Sequence, residues 1–161
     1  MTVSQPRKYG VATLQEIANL TGREILQAIL DGKLPAPPIS ETLNFWLTEV
    51  GDGFAAFEGE TSASLLNPLG IVHGGWALTL IDSAAGCAGQ TLLPVGSTYA
   101  TIETKANFSR AIQAGTGRVR AEAKAVSSGR QIISVEARMT GADGRILAHG
   151  TSTLLVMTRL R

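Results

Sequence analysis

Apolar positions recur every three or four residues through 12–33, "ATLQEIANLTGREILQAILDGK", where Leu14, Ile17 and Leu20 share one helical face and Ile25, Ile29 and Leu30 continue the pattern. Thr21-Gly22 is expected to separate a pair of short helices, and the three prolines of "LPAPPIS" to end helix altogether. From Thr42 the period shortens to two. "LNFWLTEV" and "GFAAFEGE" read as strands joined at Gly51-Asp52-Gly53, a hairpin turn. A loop, "TSASLLNPLG", leads into an apolar run that reads as helix from near Gly74 to about Gln90. Strands are then expected at Thr98–Phe108, Gly117–Ser127, Gln131–Thr140 and Ile146–Met157, divided by "QAGTG", "SSGR" and "GADGR". "RVRAEAKAV" alternates as a half-exposed strand should. The predicted order is hairpin, helix, four-strand meander: an α+β domain in which one helix packs on an antiparallel sheet. The expected organisation is an N-terminal helical extension, residues 1–41, and a main domain, residues 42–161.

Composition narrows the function classes. With 161 residues, 44% of them hydrophobic and 17% charged, the chain can bury a full core and is not of a disordered type. A formal net charge of +1 and an aromatic content of 5% give neither the basic field nor the stacking platforms of a nucleic-acid binder. The two-helix start invites a helix-turn-helix reading, but the second helix, Arg23 to Leu30, carries one Arg and one Glu and so has no basic face; a cap on the main domain is expected instead. The first residues lack the apolar core of a signal peptide, and the run around Trp76 to Ala88 is too short and too polar to span a membrane. One cysteine, Cys87, and no spaced Cys/His cluster predict no internal disulfide and no metal site, in keeping with a cytoplasmic setting. Cys87, among small residues in mid-helix, reads as core and not as a nucleophile.

Two features of the central helix carry possible chemistry. Its start, His73-Gly74-Gly75, would present free backbone N–H groups and a helix dipole to a developing oxyanion, and glycine lets a substrate approach closely. The same glycines also suit a plain helix start. The second feature is Asp82, a carboxylate in an otherwise apolar run. No Lys or Arg lies between Lys33 and Lys105, so the sequence offers it no local cation. It must face a cavity, meet a partner from elsewhere in the fold, bond Ser83 or another hydroxyl, or point to solvent.

The pattern Asn67-x-x-Gly70-x-x-His73-Gly74-Gly75, with Asp82 nine positions after the histidine, resembles the hotdog-fold acyl-CoA thioesterases of the phenylacetate-degradation type over roughly residues 42–157. The resemblance implies an antiparallel sheet wrapped around a long helix, and hydrolysis of an acyl-CoA to a free acid and CoA. It assigns Gly74 as the backbone donor that polarises the thioester carbonyl, with Gly75 beside it. Asn67 becomes a side-chain amide near that carbonyl or the attacking water, Asp82 the general base or nucleophile, and His73 a residue that shapes the loop. It further implies a homodimer or homotetramer in which Asp82 of one subunit faces Gly74 of the next, with no cofactor beyond the CoA of the substrate. Thr101 is a candidate for a hydroxyl that orients Asp82 or the water, and Arg110 and Arg130 for phosphate contacts to CoA. His149 in "LAHGTS" reads as a strand residue. Rival readings are an acyl-thioester hydratase or dehydratase, and a non-enzymatic acyl-CoA-binding module. The identity of the acyl group stays open.

Overall fold

Six antiparallel strands form one sheet that wraps a single long helix. The computed structural model describes residues 7–158; the first six and last three positions of the two expected segments lie outside the described residues. In chain order the elements are α1 (Leu14–Ile17), α2 (Gly22–Leu30), α3 (Pro38–Thr42), β1 (Phe45–Gly51), β2 (Phe54–Glu60), α4 (Gly74–Gln90), β3 (Ser97–Phe108), β4 (Arg118–Ser128), β5 (Ile132–Gly141) and β6 (Ile146–Thr158).

The sheet order is β1-β2-β4-β5-β6-β3, which corrects the expected four-strand meander. Only β4, β5 and β6 follow one another; β3 lies at the far edge, antiparallel to β6. The connection 109–117 explains the difference. It is too long for a hairpin turn, buries Ile112, and is pinned beside the start of α4, where the Val72 N–H donates to the Ile112 carbonyl at 2.9 Å and Ile71 bridges Gln113. The chain therefore crosses over the helix and enters β4 next to β2. "QAGTG" ends in a short 3₁₀ turn and a positive φ at Gly117. A second correction concerns "LPAPPIS". Proline cannot continue a helix, but its fixed φ suits a helix start, and Pro38 opens α3.

The core is the contact of α4 with the concave face of the sheet. Trp76, Ala77, Leu80, Ile81, Ala84, Ala85 and Ala88 are all buried, as the apolar circumference predicted. The facing strands contribute small residues, Ala55, Ala121 and Ala123, among larger ones such as Phe57, Ile133, Met139 and Leu154. Glycines on the helix permit an approach that no side chain would. A Cβ at Gly89 would collide with Leu154, and one at Gly86 with the Tyr99 hydroxyl. The extension is anchored to this core. Thr21 caps α2 in a reciprocal arrangement with Glu24, and the Gly22 N–H donates to the Leu93 carbonyl at 3.0 Å. Ile25 and Leu26 turn inward, and α2 packs on β1 and on the C-terminal end of α4. The Arg7 guanidinium stacks over Trp46 of β1, 4.7 Å from the ring centre.

Candidate active site

The loop before α4 is organised by Asn67. Its backbone N–H donates to the Ile71 carbonyl at 2.7 Å, and its Oδ1 accepts from the N–H groups of Leu69 (2.9 Å) and Ile71 (3.2 Å). Such local side-chain bonds are what asparagine does in turns. Gly70, at φ 75°, closes the turn in a conformation other residues resist. With Oδ1 occupied, the donors left to Asn67 are those of its amide nitrogen.

His73 is the N-cap of α4. Its Nδ1 accepts the Gly75 N–H at 2.9 Å, which requires the tautomer protonated on Nε2. The Trp76 N–H is taken by the His73 carbonyl. Among the described residues no hydrogen bond engages the Gly74 N–H, so the helix start holds one uncommitted donor backed by the dipole of a 17-residue helix. The ring of Phe108 lies over Gly74, close enough that an added Cβ would meet its Cζ at 3.2 Å. At Gly75 an added Cβ would meet the His73 Nδ1 at 2.9 Å. The two glycines thus keep the donor accessible and the cap seated.

Asp82 lies two turns further on and is half-buried. Its Oδ1 accepts from the Thr104 hydroxyl of β3 at 2.7 Å. No Lys or Arg pairs with it among the described residues, and of the outcomes the sequence allowed two are found together: a hydroxyl partner from elsewhere in the fold and a cavity that Asp82 borders. Thr104 is in turn 2.9 Å from the hydroxyl of buried Ser152, which lies 3.0 Å from the Glu103 carbonyl. Each hydroxyl has a single proton. With Thr104 donating to the carboxylate, Ser152 shares its own between Thr104 and the backbone. The chain of bonds fixes one carboxylate oxygen and leaves Oδ2 for other work. The negative charge is felt nearby: desolvation first and Asp82 second push the Cys87 thiol up to about 12, and desolvation also raises the Tyr99 phenol well above its ordinary value.

Within the chain the hydroxyl that meets Asp82 is that of Thr104 and not that of Thr101. The physical reason is a bulge. Thr101 pairs with Leu154 and Thr104 with Ser152, while the register slips between Thr101 and Glu103. The extra residue puts positions three apart on the same face of the sheet. Thr101 is exposed. Arg110 and Arg130 are both exposed and lie at opposite ends of the sheet: Arg110 follows Phe108 near the start of α4, Arg130 sits in the β4–β5 turn beside the start of β3. Within one chain they cannot grip the same phosphate. His149 is an exposed strand residue. Among the described residues no cluster of His, Cys, Asp and Glu suits a metal ion, and no helix is long and apolar enough to cross a membrane.

Asn67, His73 and Gly74 are thus grouped at the start of α4, and Asp82 with Thr104 is grouped further along it. Eight residues of helix separate Gly74 from Asp82, about 12 Å along the axis. The two groups do not meet within a single chain.

Comparison with known proteins converges on the same region. Residues 69–148 match the model of the thioesterase superfamily. A protein of Pseudomonas aeruginosa, assigned provisionally as an esterase, is 29% identical over 116 residues, 67% of this chain and 79% of that one. A phenylacetic-acid-degradation-related protein of Ralstonia eutropha, assigned provisionally as a thioesterase, superposes with a TM-score of 0.73 at 26% identity, covering 81% of this chain and 98% of that one. The phenylacetic acid degradation protein PaaI of Thermus thermophilus, in a mutant form, gives a TM-score of 0.67 at 28% identity over 76% and 99% of the two chains.

Proposed function

Because the chain belongs to the thioesterase superfamily, a family of hydrolases with the hotdog fold, we propose that it hydrolyses acyl-CoA thioesters through the residues just described. The observation that carries this reading is the pairing of an unengaged Gly74 N–H with a carboxylate that is held, but not neutralised, by Thr104. The thioester carbonyl oxygen accepts from the Gly74 N–H. Attack on the carbonyl carbon moves charge onto that oxygen, where the helix start stabilises it. Asp82 supplies the other half of the chemistry: it takes the proton of the attacking water, or attacks the carbonyl itself to give an anhydride that water opens. Either route consumes one water and yields one carboxylic acid and one CoA thiol. Asn67 directs its amide N–H groups to the carbonyl or the water.

The gap of about 12 Å supports a site shared between the subunits of a homodimer. Strand β3 is a sheet edge with unpaired backbone groups, and Ile102 and Phe108 on it are 56% and 54% exposed. Pairing two such edges about a twofold axis would bring Asp82 of one subunit toward Gly74 of the other. Arg110 and Arg130, at opposite ends of one sheet, would also meet across that axis and serve the CoA phosphates.

The test is Asp82→Asn, nearly isosteric and still able to accept from Thr104. Thiol release from acyl-CoA should fall by about a hundredfold to ten-thousandfold, with the melting temperature little changed. Turnover within a few-fold of the parent protein would remove Asp82 from the mechanism. Single-turnover hydrolysis in labelled water separates base from nucleophile: only the anhydride route places the label in the Asp82 carboxylate.

A further inference from the structure

Beyond the two half-sites, α4 has a third face. Ser83, Cys87 and Gln90 recur at helical spacing, so their side chains form one stripe next to Asp82. The sheet does not cover this stripe; the N-terminal extension does. Between the two lies a cavity of about 740 Å³, whose walls include Leu26, Ile29 and Leu34 from the extension and Ser83 and Cys87 from α4, and which reaches Asp82. Except for Gln90, the α4 wall is made of short side chains, which leaves space after α2 has docked.

The chemistry of this cavity is specific. Phe45, Phe57 and Tyr99 complete its apolar interior. Cys87 contributes a soft, polarisable surface, and burial pushes its thiol up, away from the charged thiolate. Of the charged residues that line it, Arg7, Lys8 and Asp31 are exposed at its rim and only Asp82 is half-buried, at the end where the thioester would sit, so no cation inside would neutralise an anionic tail. A cavity of about 150 Å³ suffices for a benzene ring, so a single aromatic group would leave most of this volume empty. The wall is also firm: the Gly22 N–H bond to Leu93 and the stacking of Arg7 on Trp46 hold the extension at both ends.

We infer that this cavity is the acyl chamber, that it takes an uncharged linear aliphatic acyl chain of medium length, and that the extension, through Ile29, sets how long that chain can be. The inference rests on the thioesterase reading. The thioester bond sits at Asp82, CoA lies outside, and the chain runs between α2 and the Ser83–Cys87 stripe. Specificity then comes from a segment outside the matched residues 69–148.

The experiment measures kcat/KM by thiol release for acetyl-, butanoyl-, octanoyl-, dodecanoyl- and phenylacetyl-CoA, in the full chain and in Ile29→Trp and Ile29→Ala. Each buried methylene should raise kcat/KM about fourfold until the chamber is full, so octanoyl-CoA should exceed acetyl-CoA by well over tenfold and also exceed phenylacetyl-CoA. Ile29→Trp should lower the octanoyl-to-acetyl ratio at least tenfold. Ile29→Ala should move the optimum toward dodecanoyl-CoA, and it decides the matter if the tryptophan variant fails to fold. A profile flat with chain length, a preference for phenylacetyl-CoA, or variants that scale all substrates equally would overturn the chamber while leaving the hydrolase intact. Thiol release from none of the five by the parent protein would overturn the thioesterase reading, and this inference with it.

Discussion

At the scale of single residues, the most consequential bond is the one from Thr104 to Asp82. Thr104→Val keeps the shape and deletes the donor. A hydrogen bond to a charged group is worth roughly 1.5–3 kcal/mol, so kcat should drop by about ten- to a hundredfold, and Thr104→Ser should restore most of it. Steady-state thiol release checks both, and a Thr104→Val enzyme with parental kcat would make the bond merely structural. This pair also marks where the sequence stops being legible. Thr101 is one of several hydroxyls on this strand, and nothing in "TYATIETKANF" announces the bulge that places Thr104 on the side of Asp82. By contrast Gly74 and Asp82 stand out in the sequence itself, as a glycine-opened helix start and a carboxylate in an apolar run, whereas Asn67 and His73 are marked only by the family resemblance. The amide bonds to Asn67 Oδ1 and the cap made by His73 Nδ1 were not visible, since they depend on the turn at Gly70.

At the scale of elements, packing overrides propensity on α4. Alanine in place of a mid-helix glycine ordinarily stabilises by about 1 kcal/mol. At Gly89 the new methyl would run into Leu154, and overpacking costs about 1–3 kcal/mol. Gly89→Ala should therefore lower the melting temperature by a few degrees, and pairing it with Leu154→Ala should cost less than the sum of the two single changes. Calorimetry of the three variants reads the coupling; strict additivity would mean that the contact is not felt. The elements themselves were well marked: the strands predicted after α4 match those found to within a residue or so at their ends. Their order in the sheet was not, because pairing depends on where a long connection is pinned, and Ile112 and Gln113 carry no sign of their contacts with Val72 and Ile71. The short helix at Pro38 was hidden by reading proline only as a stop.

At the scale of the whole molecule, the exposed edge of β3 and the divided site make one prediction together. Ile102→Lys puts a charge on that edge, which should yield monomers by sedimentation and lose nearly all activity while the sheet stays folded. Fully active monomers would refute the shared site. The outer face of the sheet adds a dependence on acidity. Burial raises the carboxyl of Glu122, but bonds from Arg138 and Arg120 outweigh it and hold the group below its usual range. A lowered folded-state value stabilises above the unfolded-state value, near 4.5, and that gain is lost as pH falls through the folded value. The side chain is 23% exposed, so the effect is small, about 1 kcal/mol at most. Glu122→Gln should reduce the loss of urea resistance between neutral and strongly acid pH, and an unchanged acid profile would show the cluster to be idle. One joint described above has an evolutionary corollary. Gly22 abuts the Gln90 carbonyl so closely that no methyl fits, and its amide is spent on Leu93. Among descendants of this chain, glycine at that spot and the helical preface should be inherited or discarded together, and a lineage that kept the preface with a bulkier residue there would have had to find it a new seat.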